Sequence, residues 1–274
     1  MRKRLDQLLV EKGLSSSRQQ AKEAILLGSV YVDGRLITKP SFGVTLDASL
    51  EIRGYEFPYA SRGGLKLEKA LQVFGLNAAG LVAVDVGAST GGFTSCLLQH
   101  GVERVYAVDV GVNQLAPELR TDPRVIVMEQ TNIRYLQPDQ IGESADLAVI
   151  DVSFISLTKV FPAVLSLLHS CGQIVALVKP QFEAGRRRVG KGGVVRDPRV
   201  HIDVLRTLLR ELQVNNVGLL ALDFSPITGP AGNIEYLAYF KKGEEKQDVE
   251  VLSETVVINA WSYHRPAQKR GVRD

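Results

Sequence analysis

Short apolar runs alternate with amphipathic stretches along the chain from about residue 80 onward. The apolar runs read LVAVDV, ERVYAVDV, DLAVID, QIVALVK and IEYLAYF. Runs of this length that are rich in Val, Ile and aromatic residues predict buried β-strands, and the stretches between them have helical spacing. Strands that alternate with helices are typical of a doubly wound α/β fold with a mostly parallel sheet.

A different pattern occupies the N-terminal part of the chain. Leu5, Leu8 and Leu9 recur at helical spacing, and a serine-rich segment precedes a second helical stretch that is predicted to end near Gly28. The run Val30–Val32 is followed by an Asp-Gly pair, which predicts a short strand and a turn. These elements predict a small α+β unit.

Glycine and proline mark the border between the two patterns. Residues 54–62 carry Gly54 and Pro58, which predicts an interdomain linker. We therefore predict a small domain at residues 1–60, with its linker reaching about residue 62, and an α/β domain at residues 63–274.

The composition is that of an ordinary globular protein, with 45% hydrophobic and 23% charged residues among 274. The net charge is only +3, so a surface for a polyanion must come from local clusters of basic residues. No apolar run approaches the length of a membrane span, and Asp6 and Glu11 interrupt what could be a signal-peptide core. Cys96 and Cys171 lie far apart in apolar surroundings, which predicts two buried free thiols in a reducing compartment and no metal site. We expect a cytoplasmic protein.

Four charged residues stand at the borders of predicted elements. Lys66 opens the run LKLEKAL, Asp151 and Lys179 close two apolar strands, and Glu235 begins a third. The ends of strands and the loops beyond them form the ligand crevice of a parallel α/β sheet, so these side chains are expected to converge there. Taken singly, each could be a solvated strand end. Together they predict a site built around one reactive hydroxyl.

The turn after the first apolar strand has the sequence DVGASTGGFT. Its Gly87, Ser89 and Gly91 fit the G-x-S-x-G elbow of hydrolases, but no histidine stands in a context suited to a triad. The dinucleotide motif G-x-G-x-x-G fails because Ser89 replaces its second glycine. Asp109 closes the next strand, where a carboxylate can accept hydrogen bonds from both ribose hydroxyls of an adenosine. An adenosine, a carboxylate at the helix start and no phosphate clamp describe S-adenosylmethionine.

The predicted cofactor site combines this turn with polar residues after the next two strands. Its members are Asp85, Gly87, Ala88, Ser89, Gly91, Gly92, Phe93, Asp109 and Asn132. Asn132 is expected near the adenine ring, and a plain helix cap is the other interpretation. Phe93, Phe154 and Phe182 follow motif positions and are expected to pack locally, although Phe154 or Phe182 could line a pocket for a target nucleotide.

Basic residues cluster in the N-terminal unit and in a loop rich in glycine and arginine. The pattern S-R-x-x-A-x-x-x-I-x-x-G-x-V-x-V-x-G resembles the S4 RNA-binding domain, whose second helix presents basic side chains to structured RNA. The loop EAGRRRVGKGGVVRDP is predicted to be mobile and to clamp RNA, although a solvated connection has a similar composition. Phosphate neutralisation supplies most RNA affinity. The predicted RNA-binding residues are Arg2, Arg4, Arg18, Lys22, Arg186, Arg187 and Arg188.

The whole chain resembles the TlyA family, in which an S4 domain precedes an FtsJ-like ribose methyltransferase. The segments SRGGLKL, DVGASTGGFT, DVSFISL, LVKPQFE and GPAGNIEYL stand where that family has its motifs. The resemblance implies a Rossmann-like class I fold with a seven-stranded sheet, and 2′-O-methylation of cytidine in ribosomal RNA, free or in assembled subunits. It also implies that Lys66, Asp151, Lys179 and Glu235 are the Lys-Asp-Lys-Glu tetrad of FtsJ-like enzymes.

Methyl transfer to a ribose hydroxyl requires that the hydroxyl lose its proton. Lys179 is the predicted acceptor, because the ammonium group of Lys66 and the positive sulfur of the cofactor oppose its protonation. Asp151 and Glu235 act in the opposite sense, and the sequence leaves this balance open. The Val-Ser-Phe that follows Asp151 disfavours amino methylation of a base, for which Pro-Pro-Tyr or Pro-Pro-Phe is typical.

Two other classes of function fit parts of the chain. A non-catalytic RNA-binding protein would use the S4-like unit alone, but the intact tetrad and the acids at two strand ends disfavour it. A membrane-lytic protein is what the older haemolysin name of the family suggests. Membrane insertion is disfavoured because the apolar runs have the length of strands, and no helix combines a strong apolar face with a basic one.

Overall fold

The computed structural model describes residues 2–15, 18–26, 28–53, 58–213 and 217–264. Residues 1–62 and 63–274 form two compact units, which are taken separately below. Ser17 of the S4-like pattern, Gly54 of the predicted linker and the basic segment after His264 lie outside the described residues.

The first unit is a small α+β domain. Its helices are α1 (Leu5–Glu11) and α2 (Arg18–Leu26), and its strands are β1 (Arg2–Arg4), β2 (Val30–Val32), β3 (Arg35–Leu36), β4 (Gly43–Thr45) and β5 (Leu50–Ile52). β1 pairs with β4, and β2 lies between β3 and β5, all antiparallel. Leu5, Leu9 and Ile25 are fully buried in one core, as the helical spacing predicts. Asp33 and Gly34 have positive φ angles, as a two-residue type I′ hairpin turn requires.

The second unit is built on a seven-stranded sheet. Its strands are β6 (Val82–Val86), β7 (Arg104–Val108), β8 (Val125–Met128), β9 (Ala145–Ile150), β10 (Leu168–Val178), β11 (Val217–Phe224) and β12 (Tyr236–Lys242). Their spatial order is β11-β12-β10-β9-β6-β7-β8, and only β12 runs against the other strands of this sheet. The predicted doubly wound, mostly parallel sheet is confirmed.

Helices cover both faces of this sheet. They are α3 (Gly63–Phe74), α4 (Gly92–Gln99), α5 (Pro117–Arg120), α6 (Pro138–Ile141), α7 (Leu157–Leu167), α8 (Pro180–Glu183), α9 (Pro198–Leu212) and α10 (Glu250–His264). Two 3₁₀ turns lie at Ile133–Tyr135 and Arg186–Arg188. Val84, Ile150 and Ile174 of the central strands are fully buried, which explains why these strands are apolar throughout rather than alternating.

The loops that follow β6, β7 and β9 are held together at one edge of the sheet. Gly87 N donates to Val108 O at 2.8 Å, and Asp151 N donates to Val86 O at 2.9 Å. The chain passes from β6 to β7 on one side and from β9 to β10 on the other, so the strand order reverses between β6 and β9. Ligands of doubly wound folds bind at such a reversal. The fold therefore places the predicted motifs around one crevice.

One prediction about the cysteines is wrong. Cys96 is buried in α4, as expected, whereas Cys171 is exposed. Cys171 lies in the first half of β10, where the pairing with β9 is interrupted between Leu168 and Gln173. Because this part of the strand is not flanked by β9, the apolar neighbours of Cys171 in the sequence do not enclose its side chain.

Candidate active site

The four charged residues that the sequence singled out lie together at the carboxyl end of the parallel strands. Lys179 Nζ is 2.5 Å from Asp151 Oδ1, and Lys66 Nζ is 3.8 Å from Asp151 Oδ2. Lys66 Nζ is also 2.7 Å from Glu235 Oε2. The carboxylate of Asp151 therefore lies between two ammonium groups, in a chain of contacts from Lys179 to Glu235.

Strand direction explains why these residues meet. Asp151 follows β9 and Lys179 follows β10, so both lie at the carboxyl ends of parallel strands. Glu235 precedes β12, which runs antiparallel to β10 and therefore begins at the edge where β10 ends. Lys66 is in the first half of α3, and its ammonium group reaches the same edge.

Three of the four tetrad residues are deeply buried, and Asp151 is half-buried, with its side chain 20% exposed. Glu235 is 1% exposed, Lys66 is 6% exposed and Lys179 is 8% exposed. Ions this deep lose most of their hydration, and removing one partner of a buried pair typically costs about 3–5 kcal/mol. Two ammonium groups balance two carboxylates here, so the cluster has no net charge when all four are ionised.

Two polar residues of the site were missed by the sequence reasoning. Ser153 Oγ accepts a hydrogen bond from Lys179 Nζ at 2.9 Å, and Gln181 Nε2 lies 3.5 Å from Glu235 Oε1. Each follows a tetrad residue by two positions, Ser153 after Asp151 and Gln181 after Lys179. A polar residue two positions beyond a charged strand end is the signal that could have found them.

A cavity of about 490 Å³ lies beside the tetrad at the ends of β6, β7 and β9. Its wall includes four of the predicted cofactor residues, Gly87, Ser89, Asp109 and Asn132, together with the tetrad residue Asp151. The volume is in the usual range for sites that enclose a small molecule. Gln114, Thr131 and Ile155 also line the cavity and were not predicted.

Asp109 holds two loops at the mouth of this cavity. Its Oδ2 accepts a hydrogen bond from Ser89 N at 2.8 Å, and its Oδ1 accepts one from Gly111 N at 2.7 Å. A carboxylate has about four acceptor positions, so Asp109 retains capacity for further donors such as hydroxyl groups. The residue can therefore brace the loops and contact a ligand at the same time.

Asn132 acts as a helix cap in the structure. Its Oδ1 accepts a hydrogen bond from Arg134 N at 3.2 Å and so caps the 3₁₀ turn Ile133–Tyr135. The residue also lines the cavity. The cap is thus one function of Asn132, and a contact with adenine stays a prediction.

The other predicted cofactor residues lie behind the cavity wall. They are Asp85, Ala88, Gly91, Gly92 and Phe93, all of them buried. Gly91 is the N-terminal cap of α4, with φ at 92°, so it directs the chain from the turn into the helix. These residues shape the turn between β6 and α4 and do not border the cavity.

Asp85 is fully buried beneath this turn. Its Oδ2 accepts a hydrogen bond from Thr94 Oγ1 at 2.7 Å, whereas its Oδ1 has no hydrogen-bond partner among the described residues. Burial raises the pKa of Asp85 to about 7; the hydrogen bond from Thr94 opposes this rise, and the negative charges of Asp151 and Asp109 add to it.

Two of the three phenylalanines form an aromatic pair in which Phe154 is exposed and Phe182 is half-buried. The rings of Phe154 and Phe182 are 5.0 Å apart at an interplanar angle of 48°, and Phe154 is 91% exposed. Phe154 also has a positive φ of 64°, an uncommon conformation for a residue with a bulky side chain. The ring of Phe154 packs against Phe182 and is otherwise presented to solvent at the rim of the cavity, whereas Phe93 is buried. A role for Phe154 in a pocket for the target nucleotide stays a prediction.

The basic residues of the first unit include an ion-paired cluster. Arg4 contacts both oxygens of Asp6, at 2.9 and 3.0 Å, and Arg18 Nε lies 3.1 Å from Asp6 Oδ2. Asp6 is fully buried. Burial alone would raise the pKa of Asp6, but the hydrogen bonds from the two arginines outweigh it and lower that pKa. Asp6 therefore holds both guanidinium groups in place, while about half of each arginine side chain stays exposed.

The remaining predicted RNA contacts are mostly open to solvent. Arg2, Arg186 and Arg187 are exposed, and Lys22 is half-buried. Arg188 forms an ion pair with Asp203 and donates to Ala184 O, so part of its guanidinium is already engaged.

Family comparisons agree with this geometry. The profile of the FtsJ-like methyltransferase family matches residues 59–242, more than half of the chain. The chain belongs to the FtsJ-like methyltransferase family. The S4 domain profile matches residues 3–49, within the first compact unit.

The FtsJ-like chain is similar to several known proteins over most of their length. It is 46% identical over 244 residues to the 16S/23S rRNA (cytidine-2′-O)-methyltransferase TlyA of Mycobacterium tuberculosis. The matched region covers 88% of this chain and 90% of the relative. The chain is 40% identical over 238 residues to hemolysin A of Brachyspira hyodysenteriae, covering 86% and 99%. A solved structure from Streptococcus thermophilus that carries a hemolysin name is 45% identical, covers 96% of both chains and has a TM-score of 0.78. The resemblance to the TlyA family is confirmed.

Neither a membrane-spanning helix nor a metal-binding cluster is found among the described residues. No helix in that part of the chain is long and apolar enough to cross a membrane. Nor does any group of three or more His, Cys, Asp or Glu residues within the described ranges have an arrangement that could hold a metal ion.

Proposed function

We propose that this FtsJ-like protein transfers a methyl group from S-adenosylmethionine to the ribose 2′-hydroxyl of cytidine in ribosomal RNA. The observation that carries the proposal is the buried chain of contacts Lys179, Asp151, Lys66 and Glu235 beside a cavity of about 490 Å³. The choice of cytidine and of ribosomal RNA is supported by the name of the Mycobacterium tuberculosis relative.

The donor set around the cavity fits S-adenosylmethionine. Asp109 would accept hydrogen bonds from the ribose hydroxyls, and Asn132 would contact the adenine ring. Gly87 and Ser89 would leave the backbone of the turn before α4 open to the ligand and to its carboxylate. The sulfonium of the bound cofactor supplies an electrophilic methyl group.

In this proposal Lys179 acts in its neutral amine form, orients the ribose hydroxyl and accepts the hydroxyl proton at Nζ. Ser153 and Asp151 hold the amino group from two sides, at 2.9 and 2.5 Å, so its remaining position can face the substrate. Lys66, which is paired with Glu235, contacts the other carboxylate oxygen of Asp151 and so helps to hold it in place. Holding the hydroxyl oxygen at attack distance can supply about 7–11 kcal/mol of the barrier, so orientation is the main contribution of the tetrad.

RNA would be held by both units of the chain. The guanidinium groups of Arg4 and Arg18 in the S4 domain, and of Arg186 and Arg187 after Lys179, would contact RNA phosphates. The exposed ring of Phe154 at the rim of the cavity, backed by the half-buried ring of Phe182, offers a surface on which an unstacked base could lie. The substrate would be ribosomal RNA, either free or within an assembled subunit.

A non-catalytic RNA-binding protein is the alternative function. It is disfavoured because burying three charged groups around the half-buried Asp151 is costly and has no use in a protein that only binds RNA. Retention of the complete tetrad is what supports catalysis.

Transfer of labelled methyl groups from S-adenosylmethionine to ribosomal RNA tests the proposal. Free RNA and assembled subunits should be compared as substrates, and the modified nucleotide mapped by primer extension. Lys179→Ala should lower the rate by about 10²–10⁴-fold, the usual range for a lost acid–base group, and should leave cofactor affinity within about twofold. Lys159→Ala, which removes an exposed lysine of α7, is the control and should be fully active. Activity of Lys179→Ala near wild type would contradict the assignment.

A further inference from the structure

The arginine-rich loop at residues 185–197 is attached to the segment that carries Glu235. Asn233 is only 2% exposed. Its Oδ1 accepts a hydrogen bond from Val195 N at 3.0 Å, and its Nδ2 donates to Gly193 O at 2.8 Å. One side-chain amide thus pairs with the loop backbone on both sides, much as a neighbouring strand would.

A second connection reaches the same loop residue from the other side of Glu235. His201 is fully buried in α9, with Nε2 at 3.1 Å from Val195 O and Nδ1 at 2.8 Å from the hydroxyl of Tyr236. A carbonyl oxygen only accepts, so Nε2 carries the proton and Nδ1 accepts from Tyr236, an assignment made from the network. Both backbone polar groups of Val195 are therefore held by contacts that lead to Asn233, two residues before Glu235, and to Tyr236, the residue after it.

The loop is an ordered segment that packs against the rest of the second unit. Val195 is 1% exposed and packs with Ala184 and Val204 in a small apolar cluster. Gly190 and Val194 form a β-bridge that closes the loop on itself. The exposed arginines Arg186 and Arg187 are therefore mounted on a structured segment.

On the tetrad side there is little room for Glu235 to move. A Cβ atom on Gly229 would lie 2.5 Å from Glu235 Oε1, and Gly229 N donates to Asn233 O at 2.8 Å. Glu235 also contacts Lys66 at 2.7 Å, and Lys66 contacts Asp151. A displacement of the backbone around Asn233 must therefore shift the carboxylate of Glu235, and with it the ammonium group of Lys66.

From these contacts we infer that Asn233 and His201 are positioning residues that couple RNA binding at Arg186 and Arg187 to the placement of Glu235 and Lys66. Neither residue touches the reacting atoms. When RNA phosphates bind Arg186 and Arg187, the loop takes up its bound position. Through Val195 this position fixes the side chains of Glu235 and Lys66, so the tetrad has its active geometry when RNA is present. This inference rests on the proposed methyltransferase function.

A purely structural role for Asn233 has to be separated from a positioning role, and the chain offers a matched control. Gln213 is also 2% exposed, and its amide bridges two backbone segments through Leu219 N, Gln247 N and Gln247 O. It serves the far end of the sheet, at the start of β11. Asn233→Ala and Gln213→Ala should therefore lower the melting temperature to a similar degree.

The first experiment measures kcat, KM for RNA, and cofactor affinity of the full-length variants. Asn233→Ala should lower kcat by about 10²-fold, the size expected for a misplacement of about 1 Å, with cofactor affinity unchanged. Gln213→Ala should leave kcat within about threefold of wild type, a bound set by its distance from the reacting groups. Equal losses of kcat in the two variants would overturn the inference. Tyr236→Phe, which deletes one hydroxyl and keeps the ring, should lower kcat by a smaller factor and serves if Asn233→Ala does not fold.

The second experiment tests the coupling. Arg186→Ala with Arg187→Ala should raise KM and lower kcat in the wild-type background, but should only raise KM when Asn233→Ala is also present. Multiplication of the two effects on kcat would mean that loop and tetrad act independently, which overturns the inference while the proposed function stands. A wild-type protein that transfers no methyl group to ribosomal RNA would instead overturn the proposed function, and the inference with it.

Discussion

Gly87 lies directly against the backbone of Asp151. A Cβ atom at Gly87 would come within 2.6 Å of the carbonyl oxygen of Asp151, and Gly87 has a φ of +88°. The turn that borders the cavity is therefore in contact with the residue that lies between the two tetrad lysines. Because the two backbones are in direct contact, a shift of this turn would displace Asp151 as well.

Gly87→Ala should therefore damage cofactor binding, methyl transfer and stability together. A residue with a side chain at this φ costs about 1–3 kcal/mol in strain, and the contact with Asp151 adds to that cost. Gly80→Ala is the matched control, since Gly80 has a similar φ of +74° and open space around it. Denaturant unfolding and calorimetric titration with S-adenosylmethionine should show a larger effect for Gly87→Ala. Equal effects of the two substitutions would mean that the contact with Asp151 is unimportant.

Asp109→Ala should weaken cofactor binding by about 1.5–3 kcal/mol, the usual loss when charge-assisted hydrogen bonds are removed. Part of this loss comes from the ligand contact and part from the loops that Asp109 holds through Ser89 N and Gly111 N. Asp139→Ala, at an exposed acid of α6, controls for the change in net charge. Calorimetric titration measures both variants, and unchanged affinity of Asp109→Ala would exclude Asp109 from the cofactor site.

The buried carboxyl of Asp85 should make the stability of the second unit depend on pH. Its pKa is raised in the folded protein to about 7, above the value of 3.8 for an unperturbed carboxyl, so the folded state binds the proton more tightly. The contribution of Asp85 to stability is therefore complete at pH values below about 4 and is lost as the pH rises through about 7.

Asp85→Asn should remove this dependence, because an amide does not titrate. The free energy of unfolding of the wild type should fall relative to Asp85→Asn between about pH 4 and pH 7, by at most ~4 kcal/mol at 1.36 kcal/mol for each pKa unit. Urea unfolding at a series of pH values measures the difference. Parallel profiles for the two proteins would show that Asp85 is ionised in the folded state.

Asp6→Asn tests the role of Arg4 and Arg18, because the two possible roles predict opposite changes in RNA affinity. If Arg4 and Arg18 act only as charges, removal of the nearby carboxylate should strengthen RNA binding. We expect weaker binding, because Asp6 holds both guanidinium groups through ion pairs of 2.9 and 3.1 Å. Glu11→Gln is the control, since Glu11 pairs with Lys3 and contacts neither arginine, and it should strengthen binding slightly. Filter binding at several salt concentrations measures both.

The sequence by itself determined the architecture and the meeting of the tetrad. Apolar runs of strand length alternate with helical stretches, and the direction of each strand decides at which edge its last residue lies. These patterns predict Asp151 and Lys179 at the same edge of the sheet, which is where the structure has them. This worked because periodicity and strand polarity are properties of neighbouring residues in the chain.

Only the tertiary structure decided which atoms pair and which side chains are enclosed. The orphaned Oδ1 of Asp85, the exposure of Cys171 and the pairing of Asn233 with Val195 all depend on segments that are far apart in sequence. A side-chain hydrogen bond requires its donor and acceptor atoms to be placed to within a fraction of an ångström. Their placement is set by the packing of the whole core rather than by the local sequence pattern. The same amino acid, whether Asp or Cys, therefore takes a different role according to what the fold brings next to it.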